Sequence, residues 1–164
     1  MENLAHCQNL LKMKIININC KEFKPHVKWI LEELLNIPFY NITINICSHK
    51  KLNKIIPIDN DSLISGKLPS ATYFPTLGFI WIDKEIVTMG DFVPVVAHEL
   101  RHYYQFANGE FKFINQDEYN SNYENLPQEL DAFEFQNKVE KHLSSLIKKK
   151  KTKLKFWYSK YTFI

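Results

Sequence analysis

Hydrophobic and polar positions along the first half of the chain predict one helix and a small sheet. Residues 14–20 and 41–47 are rich in β-branched residues and partly alternate between apolar and polar positions, which is typical of short strands. Residues 77–83 form a third apolar segment of strand length. Residues 21–36 place apolar side chains at helical spacing, and the polar stretch over residues 50–75 is expected to be a loop.

Two further helices are predicted in the second half. Residues 92–106 show helical periodicity, with Pro94 in the first turn, where proline is tolerated, and Gly109 just past the end. Residues 110–125 are polar and rich in tyrosine, so we expect irregular structure there. The last helix opens at Pro127 and extends to about residue 147. The pattern predicts an α+β fold.

The composition fits one folded domain. With 164 residues, of which 45% are hydrophobic and 24% charged, the chain can bury a single packed core. No apolar run reaches the roughly 18 residues that cross a bilayer, and the first residues lack both the basic and the apolar region of a signal peptide. Cys7, Cys20 and Cys47 form no CxxC pair, which favours reduced thiols. We expect a cytoplasmic protein with no membrane contact, whose metal ligands must be His, Asp or Glu.

The net charge of +3 is unevenly distributed. Six lysines lie within residues 148–155, so the rest of the chain has 15 basic and 18 acidic residues, a charge of −3. We therefore divide the chain into one domain, residues 1–147, and a basic, aromatic tail, residues 148–164. The simpler interpretation is that these lysines complement a helix dipole. The alternative is that Lys148 to Lys155 bind an anionic partner such as nucleic acid.

Residues 98–102 read His-Glu-Leu-Arg-His, the HExxH motif. On a helix the two histidines project from one face within reach of one ion, and imidazole nitrogen suits zinc. Glu99 lies about 100° around the helix from His98, so its carboxylate can lie beside the metal and take a proton from the attacking water. The composition of the chain predicts roughly one or two chance matches in a hundred such chains. We favour a zinc site over chance, and a degenerate site that binds metal without turnover is the alternative.

A catalytic zinc site usually has three protein ligands, and the next histidine along the chain is the distant His142. Glu129 is the best third candidate, because it lies in the first turn of the last helix. Ala132, at position i+3, allows this helix to approach the HExxH helix closely. Asp131 is expected to point to nearly the opposite side. The alternative is that Glu129 is only a carboxylate favoured by the dipole at a helix N-terminus.

Together these motifs resemble a known family. Val96 to His102, followed by Glu129-x-x-Ala132-x-x-Phe135, is similar to the compact gluzincin-like HExxH zinc metallopeptidases of phages and mobile elements, which include the anti-repressor peptidases. The resemblance covers mainly residues 77–136. It implies a minimal zincin fold: an N-terminal helix, a small and mostly antiparallel sheet whose edge strand pairs with an extended peptide, the HExxH helix and a third-ligand helix. Arg101 stands where many anti-repressor peptidases have Gly, and Gln136 where Ala often follows the Phe, which leaves the subfamily and the substrate open.

Arg101 is the only arginine in the chain, beside 20 lysines. Its planar guanidinium favours bidentate pairing with a carboxylate. We expect a structural pair, and a grip on a substrate carboxylate is the alternative. The candidate structural partners are Asp131, Glu134 and Glu124.

Two tyrosines between the predicted ligands are candidates for a further role. The phenol of Tyr119 or Tyr123 could donate a hydrogen bond to the oxyanion that forms during peptide hydrolysis. The alternative is that both tyrosines only pack in the loop.

The function predicted from the sequence is zinc-dependent cleavage of peptide bonds in a protein or peptide substrate. A noncatalytic zinc-binding regulator and a nucleic-acid-associated module that uses the basic tail are the alternatives. The predicted metal ligands are His98, His102 and Glu129, and Glu99 is the predicted general base and later proton donor.

Overall fold

The computed structural model describes residues 13–55, 70–85, 92–113 and 123–148. Strands and helices within these residues make an α+β fold, as the hydrophobic pattern predicts. In chain order the elements are β1 (Lys14–Ile18), α1 (residues 21–34), β2 (Tyr40–Cys47), α2 (His49–Ile55), β3 (Ala71–Phe74), β4 (Phe79–Asp83), α3 (Phe92–Ala107) and α4 (Pro127–Lys148).

The predicted first helix is present, but its geometry changes along its length. A 3₁₀ turn, Lys21–Phe23, leads into an α-helix, Lys24–Trp29, and then into a π-helical turn, Ile30–Leu34. The apolar positions that predicted this helix face the core. Val27 and Leu31 are fully buried.

The sheet is mixed, which corrects the expectation of a mostly antiparallel one. Its strand order is β1-β2-β4-β3, in which β2 pairs in parallel with both β1 and β4, and only β3 and β4 are antiparallel. The physical reason lies in the connections. The helix α1 carries the chain back along the sheet before β2 begins, so β2 runs in the same direction as β1.

The strand β3 and the helix α2 fall within the stretch expected to be a loop. Only four residues long, β3 is followed by a 3₁₀ turn, Pro75–Leu77, and by Gly78 with a φ of 56°. Glycine adopts this left-handed conformation without strain, and the chain reverses here into β4. The short strand between two prolines gives a weak pattern, which explains why periodicity alone missed it.

Helices cover both faces of the sheet. The larger core joins one sheet face, where Ile42, Ile44, Ile80 and Ile82 are fully buried, to α1, α3 and α4. On the other face Trp81 and Phe79 pack with Leu52 of α2. Within the described residues, no helix has both the length and the apolar character needed to cross a membrane.

The helices α3 and α4 pack closely against each other. Their bounds match the prediction, since α3 ends shortly before Gly109, with a φ of 72°, and α4 begins at Pro127. Ala132 on α4 is fully buried, and its small side chain permits the close approach that the sequence predicts. This packing brings the first turn of α4 beside the middle of α3.

Candidate metal centre

The helices α3 and α4 bring together the three residues predicted to bind metal. His98 and His102 lie one turn apart on α3, and Glu129 lies in the first turn of α4. The Nε2 atoms of the histidines are 3.1 Å apart, and Oε2 of Glu129 is 3.3 Å from each. All three residues are buried. The triad forms a possible metal-binding site.

The dimensions of this triad suit a small metal ion. A tetrahedral ion with bonds of about 2.0–2.1 Å separates its ligand atoms by roughly 3.3 Å, close to the three distances observed. Among the described residues, Oε2 of Glu129 is buried without a well-aligned hydrogen bond. Such a buried acceptor requires compensation, which an ion shared with the two imidazoles would supply. The three residues therefore fit a bound metal ion.

Glu99 lies beside the triad but is not part of it. Its side chain is buried, and its carboxylate accepts a hydrogen bond from the backbone N–H of Tyr73 on β3. Burial raises the pKa of Glu99, and the nearby His102 and His98 oppose that effect. The carboxylate thus stands between the ligand-bearing helix and the edge strand of the sheet.

Glu129 and His102 shift each other's pKa in the direction that favours the charged form of each. Burial alone would raise the pKa of Glu129, but the imidazoles of His102 and His98, whose Nε2 atoms lie 3.3 Å from its Oε2, lower it to about 2. Burial alone would lower the pKa of His102, but its interaction with Glu129 raises it. A carboxylate that is ionised over the physiological range is ready to bind a cation.

A cavity of about 250 Å³ opens beside the triad. Glu99, His102 and Glu129 line it on one side, and β3 lines it on another. Tyr123 also lines it, and a hydrogen bond with the phenol of Tyr123 contributes to the low pKa of Glu129. Tyr119 lies outside the described residues, as does the tail beyond Lys148.

Arg101 makes the predicted structural pair with Asp131. Its Nε lies 2.7 Å from Oδ2 and its Nη2 lies 3.0 Å from Oδ1, so the pair is bidentate. The guanidinium also lies over the ring of Tyr104. Asp131 does not join the triad, as expected, but it contacts α3 instead of pointing away from it. The guanidinium is thereby occupied within the protein.

Sequence reasoning missed Gln105, which lies next to the triad. Its Oε1 lies 2.9 Å from Nδ1 of His102. The signal was available, because Gln105 follows His102 by three residues on a helix, a spacing that brings side chains into contact. Glutamine carries no motif by itself, so only the contact identifies it.

Comparison with protein-family models, curated proteins and solved structures finds no match. The geometry and chemistry of this chain itself are therefore what indicate its function.

Proposed function

We propose that the chain is a zinc-dependent endopeptidase that acts on protein or peptide substrates. The observation that carries the proposal is the convergence of His98 Nε2, His102 Nε2 and Glu129 Oε2 within 3.3 Å of one another, with Glu99 beside them. Many catalytic zinc sites have this ligand set, in which two imidazoles and one carboxylate bind the ion and a fourth coordination position stays open. Here a cavity lies beside the triad.

Zinc is the preferred ion because imidazole nitrogen suits it better than it suits magnesium or calcium. When bound, zinc would polarise the scissile carbonyl and lower the pKa of a water molecule toward neutrality. Three protein ligands leave a coordination position for that chemistry, and the cavity beside Glu129 gives access to it.

Glu99 is the proposed general base. Its position next to His98 and beside the cavity allows it to take a proton from the attacking water and then give this proton to the leaving amine. The hydrogen bond from the N–H of Tyr73 holds the carboxylate in place. Burial excludes bulk water around it, which strengthens its interactions with the reacting groups.

The edge strand β3 is the proposed binding site for the substrate backbone. Within the described residues β3 pairs only with β4, so its outer edge can accept an extended peptide as a further strand. The N–H of Tyr73 contacts Glu99, and Ala71, Thr72 and Tyr73 line the cavity. A peptide paired with this edge would lie along the cavity that Glu99, His102 and Glu129 also line.

Tyr123 is the proposed donor to the developing oxyanion. It lines the same cavity as Glu99 and contacts Glu129, which keeps its phenol close to the proposed metal position. A phenol O–H directed at a developing negative charge stabilises a hydrolytic transition state.

The test compares the zinc content and the peptidase activity of the wild-type protein with those of a variant that lacks one proposed ligand. Purified wild type and His98→Ala are each equilibrated with zinc, desalted and analysed for metal, and cleavage of denatured casein is measured with and without a chelator. We expect about one zinc per wild-type chain, much less in His98→Ala, and cleavage that the chelator abolishes and added zinc restores. Equal zinc in the two proteins overturns the proposal. Zinc binding without cleavage favours the noncatalytic regulator.

A further inference from the structure

A chain of hydrogen bonds extends from the proposed ligand His102 to the opposite helix. Gln105, only 2% exposed, places Oε1 2.9 Å from Nδ1 of His102. Its Nε2 donates to the backbone carbonyl of Gln128 at 2.9 Å and to Oδ2 of Asp131 at 2.6 Å. One buried amide thus connects a ligand on α3 with two residues on α4.

The partners of Gln105 determine which way its amide points. A backbone carbonyl can only accept a hydrogen bond, and both oxygens of Asp131 already accept bonds from Arg101. The NH₂ group must therefore face Gln128 and Asp131, and the amide oxygen must face His102. The reverse orientation would place oxygen against oxygen at two contacts.

The orientation of the amide in turn determines the tautomer of His102. The amide oxygen is an acceptor only, so Nδ1 of His102 must carry the hydrogen in this contact. In neutral imidazole the other nitrogen, Nε2, then has a free lone pair. That atom is the one that lies 3.3 Å from Glu129.

Arg101 and Asp131 hold the far end of this chain. The bidentate pair with Arg101 fixes the carboxylate of Asp131. The guanidinium of Arg101 packs in turn over the ring of Tyr104, and its central carbon lies 4.6 Å from the centroid of that ring. The pair also links α3 to α4, the helices that carry the histidines and Glu129 respectively. The same contacts therefore orient one ligand and hold together the helices that supply all three.

We propose that Gln105, oriented by Asp131 and Gln128, is a positioning residue that holds His102 as the Nδ1–H tautomer with Nε2 directed to the metal position. Arg101 acts through Asp131. The inference rests on the metal site of the proposed function, but it requires no hydrolysis. Outer hydrogen bonds of this kind fix the ring of a ligating histidine, and their loss typically weakens metal binding by about 10- to 100-fold.

The test compares Gln105→Met with Val139→Ala. Methionine is similar in size to glutamine, but it cannot replace the hydrogen bonds of Gln105 with His102 and Asp131. Val139 is the control, because it is also buried but lies about 15 Å along α4 from Glu129. Imidazole ¹⁵N NMR reports the tautomer of His102, assigned with His102→Gln. It is recorded on metal-free proteins that also carry Glu129→Ala, which removes the carboxylate that competes for a proton on Nε2, and at a pH where the ring is neutral. Chelator competition on the proteins that keep Glu129 reports the zinc Kd.

With Glu129→Ala present, we expect the otherwise unchanged chain and the chain with Val139→Ala both to show the Nδ1–H tautomer. With Glu129 intact, these two should have zinc Kd values within about twofold of each other. Gln105→Met should lose the preference for that tautomer and bind zinc roughly 10- to 100-fold more weakly. If Gln105→Met does not fold, Asp131→Asn is measured in its place, with the same changes expected at smaller amplitude. The proposal is overturned if the variant keeps the wild-type tautomer, or if it changes the Kd no more than Val139→Ala does.

The outcome is separable from failure of the proposed function. If wild type binds no zinc, the metal site is wrong, and the tautomer in the metal-free protein still decides whether Gln105 orients His102. If wild type binds zinc and Gln105→Met behaves like Val139→Ala, only the positioning role is wrong.

Discussion

Glu99 and Glu129 are both buried carboxylates beside the same two histidines, yet their surroundings differ. The imidazoles of His102 and His98 lie 3.3 Å from Oε2 of Glu129 and lower its pKa to about 2 against the effect of burial. Glu99 has the N–H of Tyr73 as its partner, and burial raises its pKa. Environments that separate two carboxylates in this way commonly separate their chemical roles. We infer a ligand role for Glu129 and a proton-transfer role for Glu99.

The role of Glu99 predicts that metal binding and catalysis can be separated. Glu99→Gln preserves the size of the side chain, so zinc content and melting temperature should remain near wild type. Cleavage of denatured casein should fall by about 10²- to 10⁴-fold, the usual effect of losing a general base. Zinc content, melting and cleavage are measured on the same preparations. Unchanged cleavage would exclude the mechanism even with all three ligands correct.

The role of Glu129 predicts a ranking between two acidic residues of α4. Glu129→Ala should weaken zinc binding more than the roughly 10- to 100-fold typical for loss of an outer hydrogen bond, because it removes a direct ligand. Asp131→Ala should stay within or below that range, since Asp131 reaches His102 only through Gln105. Chelator competition gives both Kd values. A larger loss for Asp131→Ala would contradict the assignment of the third ligand.

At the scale of elements, the site depends on how closely α3 and α4 approach. Ala132 is fully buried on α4, one turn after Glu129, and the ring of Phe133 lies 4.6 Å from that of His98. The start of α4 therefore packs directly against α3 at Ala132 and Phe133. Because interiors are close-packed, a change of volume here must move a helix or a side chain.

This packing predicts that a larger residue at position 132 damages both stability and metal binding. Ala132→Leu should lower the free energy of unfolding by about 1–3 kcal/mol, the usual cost of overpacking, and should weaken zinc binding by displacing Glu129. Denaturant unfolding and chelator competition measure the two effects. The matched control is Glu140→Leu, an exposed position on the same helix, where we expect a change within about 0.5 kcal/mol. Equal behaviour of the two variants would show that the helix contact is not critical.

At the scale of the whole molecule, we expect protonation, folding and the proposed metal binding to be coupled through His102. Glu129 raises the pKa of His102 above its ordinary value, against burial. In the metal-free protein, the contribution of this pair to stability is therefore complete below the unfolded pKa of His102 and is lost as pH rises through the higher folded pKa. Zinc requires the unprotonated imidazole, so metal binding follows the opposite trend.

The coupling predicts that zinc affinity falls as the solution becomes acidic, beginning above the ordinary pKa of histidine, about 6.5. Below the pKa of His102 in the folded protein, zinc must displace one proton from this residue. The apparent zinc Kd should therefore rise by about tenfold for each pH unit of acidification. Glu129, with a pKa of about 2, should add no proton over this range. Chelator competition from pH 5 to 8 gives the profile. Glu129→Gln should shift it to lower pH, and an unshifted profile would contradict the coupling.

The sequence by itself determined the elements with strong local signals and the types of residue in the site. Apolar periodicity located α1, α3 and α4, because a buried helix face repeats over several turns. HExxH placed His98 and His102 on one face of α3, since residues four apart on a helix project together. The geometry of guanidinium also predicted a bidentate carboxylate pair for Arg101, and the structure identifies Asp131 among the three candidate partners.

Only the tertiary structure decided what depends on contacts distant in sequence. The parallel pairing of β2 with β1 and β4 depends on how α1 and the later connections return the chain, which alternation along a strand does not encode. The strand β3 was too short to show a pattern, and it is defined by its partner β4. Gln105 acquires its role from His102 on its own helix and from Gln128 and Asp131 on α4. A hydrogen bond across a helix interface becomes visible only when packing brings donor and acceptor within about 3 Å.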